Sequence, residues 1–105
     1  GIRDIGVTGV QTALPIFATY RYLTFFIFSF DAIYEPPHVH VAKEKGNRQQ
    51  SAKIWMQDVR VVYKGSLNKK ELNEAVKVVM LNRVSLIQQF ELVKQGKSIQ
   101  TLQLI

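Results

Sequence analysis

Two consecutive prolines, Pro36-Pro37, limit the folds open to this chain more than any other feature. Neither donates a backbone hydrogen bond, and each pushes the residue before it into an extended conformation. The pair is therefore excluded from a helix interior and from the middle of a central strand. The following His38-Val39-His40-Val41 alternates with the two-residue period of a strand. The prolines thus open a strand with two unlike sides, valines on one and histidines on the other.

The neighbouring segments supply partners for it. Phe17 to Phe30 is rich in aromatic and β-branched residues, which favours one long strand, or two with a bend near Thr19 to Arg21. Asp31 to Glu35 reads as a connection. Glu44 to Gln50, with Gly46-Asn47 inside it, reads as a hairpin loop leading into a second alternating run, Ser51 to Met56. After a turn at Gln57-Asp58, Val59 to Tyr63 is a further strand. From Asn68 the period changes to steps of three and four, through Leu72, Val76, Val79, Leu86 and Phe90. Asn68 and Glu71 have capping-box spacing, Gly96 is the natural stop, and Asn82 is the place where one long helix would divide into two. The expected fold is α+β: an antiparallel sheet of three to four strands covered on one face by one long, or two shorter, C-terminal helices. Residues 17–95 form the domain, and 96–105 a tail or a short extra strand.

Residues 2–16 stand apart. They resemble the conceptual translation of a sequencing-library adapter of the kind found in metagenomic reading frames, with a cysteine missing between Thr12 and Ala13. Residues 1–16 are therefore expected to be a non-native leader; the alternative is a genuine N-terminal strand.

Charge is confined to one region. Between Lys43 and Lys70, eight cations face only Glu44 and Asp58, so this stretch alone accounts for the net +6 of the chain. A localised cationic segment suggests an anionic partner, with RNA the first candidate; a solvated surface is the alternative. The most apolar run, Tyr22 to Phe30, is nine residues, against roughly 20 for a membrane helix, so no membrane partner is expected. The chain has no cysteine, which fits a reducing, cytoplasmic setting and removes any thiolate metal cage.

Taken in order, Pro36-Pro37-His38-Val39-His40-Val41, Ala52-Lys53-Ile54-Trp55, Lys69-Lys70-Glu71-Leu72-Asn73 and Asn82-Arg83 resemble the bacterial domain of unknown function 4160 family. The resemblance covers roughly residues 16–92. It implies a small stand-alone protein, often beside another small gene in a toxin–antitoxin-like pair, and it carries no reaction.

The candidate reactive residues follow from the strand. Histidines at i and i+2 project from one side, about 6.5–7 Å apart at Cα, and a pair of imidazoles can divide acid and base roles. With Lys53 as cationic stabiliser, His38 and His40 are the expected catalytic set of a metal-independent ribonuclease, on an open, cationic, water-accessible face. The alternative is that one or both rings serve only as hydrogen-bonding structure. Lys43, Lys45, Arg48 and Trp55 are the expected nucleic-acid contacts, together with Arg60, Lys64, Lys69 and Lys70; Trp55 packing as structure is the alternative. Arg83 is expected to snorkel or to pair with an acid. No cofactor is expected and no metal, because two histidines are too few ligands and Glu35, Glu44 and Asp58 lack ligand spacing. Two further functions stay open: a non-catalytic module binding a neighbour-encoded protein, and a nucleic-acid binder without chemistry.

Overall fold

The computed structural model describes residues 14–43 and 47–105. Its strands are β1 (Ile16–Tyr20), β2 (Leu23–Phe26), β3 (His38–Lys43), β4 (Ala52–Trp55), β5 (Arg60–Tyr63) and β6 (Leu102–Gln103). Helix α1 (Ser29–Tyr34) joins β2 to β3, and α2 (Lys69–Leu81) and α3 (Arg83–Lys94) follow β5. The six strands lie in the order β5-β4-β3-β2-β1-β6. The first five pair antiparallel as neighbours in sequence, and β6 pairs parallel with β1.

The class is α+β, but six strands replace the expected three to four. One comes from dividing the aromatic segment: Arg21 adopts φ +53 and reverses the chain between β1 and β2. Another comes from the tail, where Leu104 N–H donates to the Thr19 carbonyl at 2.8 Å. The leader's residues 1–13 lie outside the described residues. Its last residue, Ile16, begins β1 opposite Phe26.

The valine side of β3 faces the main core. Val39 and Val41, with Phe25 of β2 and Ile54 of β4, belong to one buried cluster with Ala75 and Val79 of α2 and Leu86 and Phe90 of α3. Helix α2 begins at the expected capping box: the Asn68 side chain accepts from Glu71 N–H at 2.8 Å, and the Glu71 carboxylate accepts from Asn68 N–H at 2.9 Å. The helix divides at Asn82, whose side-chain amide donates to the Val78 carbonyl. Among the described residues Arg83 pairs with no acid. It donates to the Met56 and Gln57 carbonyls at 2.7 and 2.6 Å, pinning the start of α3 to the end of β4. Gly65, at φ +57, lets the chain pass so close to Gln50 that an added Cβ would sit 2.3 Å from its carbonyl oxygen. Among the described residues no helix is long and apolar enough to cross a membrane.

A buried histidine pair under a short helix

Strand alternation places His38 and His40 on the side of β3 away from the valines, and the sheet register selects their neighbours. His40 lies between Phe26 of β2 and Lys53 of β4, and His38 lies opposite Trp55. The imidazole centroids are 5.3 Å apart. His40 stacks on Phe26 at 5.6 Å and receives the edge of Phe28 at 4.7 Å. The His38 ring meets Trp55 and Phe90 edge-on, each at 5.6 Å. The expected convergence of both rings is present.

The expected open face is not. His38 is 0% exposed and His40 3%. The segment read from sequence as a connection folds instead into α1, which anchors in the core through Ala32 and carries Asp31 to the imidazoles. Six residues are too few to show helical periodicity in sequence.

The ring nitrogens divide into two kinds. His38 Nδ1 lies 2.9 Å from the Pro36 carbonyl, which can only accept, so Nδ1 bears the hydrogen and neutral His38 presents a lone pair at Nε2. His40 Nδ1 meets the Ser51 hydroxyl at 3.3 Å. Both Nε2 atoms are buried without a hydrogen-bond partner among the described residues. Asp31 Oδ2 sits between them, 3.8 Å from His38 Nε2 and 3.6 Å from His40 Nε2, beyond hydrogen-bonding range of either. Burial lowers the pKa of both imidazoles. For His40, burial and the neighbouring His38 outweigh the pull of Asp31 and bring it to about 4. Both rings are therefore neutral near pH 7.

Lys53 shares this side of the sheet, as the register required. Its ammonium contacts the Glu35 carboxylate and lies 4.7 Å from the Trp55 ring centre. Burial alone would raise the Glu35 pKa, but the hydrogen bond and charge of Lys53 hold it below the ordinary carboxylate value. A cleft of about 340 Å³ lined by Pro36, Trp55, Gln57, Asp58 and Arg60 opens beside Trp55.

The other expected contacts are not gathered into one patch. Arg48 lies over the Phe26 ring at 5.2 Å, on the histidine side. Arg60, opposite Trp55, pairs with Asp58 at 3.1 Å. Lys43 points to the helix side and pairs with Glu71 at 3.5 Å. Lys64 follows β5 at the end of the sheet away from His38, and Lys69 and Lys70 begin α2; all three are exposed. Lys45 lies outside the described residues. Asp31 is the site residue that sequence reasoning missed. It precedes His38 by seven positions, and nothing in that spacing says that the chain turns back on itself.

A family model described as Domain of unknown function (DUF4160) matches residues 23–91, from β2 to near the end of α3. No curated protein and no solved structure matches the chain.

Proposed function

From the premise that the chain belongs to the DUF4160 family, whose matched span holds every residue of the histidine site, we propose that it is an RNA-directed domain, the toxin-like member of a toxin–antitoxin pair. The observation that carries this reading is the pair of converging, unpartnered Nε2 atoms beside Lys53 and the Trp55–Arg60 cleft. In this reading a base stacks against Trp55 in the cleft, and the scissile phosphate draws Lys53 away from Glu35. A neutral imidazole takes the proton of the ribose 2′-hydroxyl, and the imidazolium so formed returns a proton to the leaving 5′-oxygen. Lowered imidazole pKa values fit the base role at the start of the reaction and not the acid role. Because the rings are buried, substrate reaches them when α1 lifts from the sheet.

The test is cleavage of end-labelled RNA by the wild-type chain and by a His38→Gln/His40→Gln variant whose fold is checked by circular dichroism. Loss of about 100-fold or more in rate is expected, the scale of an acid–base pair. Equal cleavage by both proteins would end the histidine mechanism. Salt-sensitive RNA binding without cleavage would favour a binder that does no chemistry.

A second reading has its own observation. Helix α1 turns Phe30, Ile33 and Tyr34 outward, 71%, 64% and 71% exposed. Three large apolar side chains on six residues suit a protein partner, here the product of a neighbouring gene. Co-purification lost in a Phe30→Ser/Tyr34→Ser variant, with no RNA affinity at low salt, would favour a non-catalytic interaction module.

A further inference from the structure

A buried polar atom left without a partner destabilises the fold, and among the described residues two such atoms face the same carboxylate. An ion that fills the space between them removes both penalties at once. We propose that Asp31, His38 and His40 bind one divalent first-row transition-metal ion through Oδ2, Nε2 and Nε2. The inference does not rest on the RNA reading and competes with it for the same atoms: an ion bound at both Nε2 positions takes the lone pairs that the acid–base step uses, so the histidine mechanism belongs to the metal-free protein.

The geometry is close to what such an ion requires. One ligand atom from each of the three residues lies within 4.8 Å of the other two. An ion about 2.0–2.2 Å from each ligand sets the ligands roughly 3.0–3.5 Å apart. The nitrogen-to-oxygen separations of 3.8 and 3.6 Å exceed that by only a few tenths of an ångström, so closing the site takes an inward shift of α1 together with rotation of the two imidazoles toward each other. The second shell is already in place. His38 gives its Nδ1 hydrogen to the Pro36 carbonyl, and His40 Nδ1 meets Ser51, so both rings are oriented with Nε2 toward Asp31. Metal-binding imidazoles are held in this way. Glu35 and Lys53 engage each other, leaving Asp31 as the carboxylate that faces both Nε2 atoms.

Two nitrogens and one oxygen select a class of ion. Calcium and magnesium prefer all-oxygen shells, and copper(I) prefers the sulfur ligands that a cysteine-free chain does not offer as thiolates. Zinc, cobalt, nickel and iron(II) accept imidazole with carboxylate. Three protein ligands leave at least one coordination position for water or a substrate oxygen, the arrangement of a reactive centre and not of a closed structural one. Asp31 is the ligand nearest solvent, its side chain 24% exposed, so ion and water approach along α1.

The test uses the full chain, stripped with chelator and dialysed, and the metal alone. Calorimetric titration with Zn²⁺ should show one ion per chain, and Co²⁺ should develop visible ligand-field bands as it binds. Asp31→Asn and His40→Gln should each weaken binding by about 100-fold, and Ser51→Ala by about 10-fold, as expected for ligands and for a second-shell partner. Glu35→Gln should leave affinity within about 3-fold, since its carboxylate is engaged by Lys53 and is no ligand. Asp31 sits on the solvent side of the cluster, so its variant keeps the test decisive should His40→Gln misfold. Absence of stoichiometric binding, or equal affinity in wild type and Asp31→Asn, would overturn the site. No RNA enters the measurement, so failure of the cleavage reading leaves its outcome intact.

Discussion

Charging His40 means placing a cation among Phe26, Phe28 and His38, with the Asp31 carboxylate 3.6 Å from its Nε2 as counter-charge. The folded protein resists this and holds the pKa at about 4, while an unfolded histidine titrates near 6.5. Between those values the unfolded chain binds more protons, so stability is complete above pH 6.5 and declines as pH falls toward 4. His38, also lowered by burial, adds to the loss with the same sign. In chelator-treated protein, urea unfolding should show an acid-side loss on the order of 2–3 kcal/mol from His40, and the profile should be flatter by that amount in His40→Gln. The pairing of the two rings was legible because strand alternation is strict and the chain holds only these two histidines. Their burial was not, because it depends on α1, and neither was Asp31, because a contact across a chain reversal leaves no periodic trace in sequence.

At the level of single elements, legibility tracks how local the determining interactions are. The start of α2 is set by Asn68 and Glu71, three residues apart, and was readable for that reason. Asn68→Ala should cost about 1 kcal/mol in chemical denaturation, the usual worth of an N-cap. The division of α2 from α3 was readable at Asn82, but its anchor was not, since Arg83 reaches carbonyls 26 and 27 positions away. Gly65 is equally non-local. Its positive φ is compounded by the Gln50 carbonyl and the Ser51 backbone against the space a Cβ would fill. Gly65→Ala should therefore lower stability by about 2 kcal/mol or more, well beyond the penalty of an ordinary surface glycine, with the loss read as a lower thermal midpoint. Had that variant unchanged stability, the close passage between the 3-10 turn Arg48–Gln50 and the loop that follows β5 would be wrong.

Across the whole molecule, β1 to β5 form a meander in which each strand meets its predecessor, and this sequential order is why the sheet could be anticipated at all. The parallel β6 is different: it returns to β1 over more than 80 residues and contributes only Leu102 and Gln103 to the ladder. Deleting residues 101–105 should leave the circular dichroism spectrum of an α+β fold and lower stability by about 1–2 kcal/mol, since β1 keeps its pairing with β2. Collapse of the fold on truncation would give β6 a larger role than its two residues suggest. One feature links the molecule's exterior to its interior. The six residues of α1 hold Asp31 against the imidazoles while Phe30, Ile33 and Tyr34 look out to solvent. A partner that moves α1 through these outer side chains moves Asp31 with it. For such a partner, the factor by which it changes the affinity of the inner pocket is, by thermodynamic reciprocity, the factor that the inner occupant returns to the clasp.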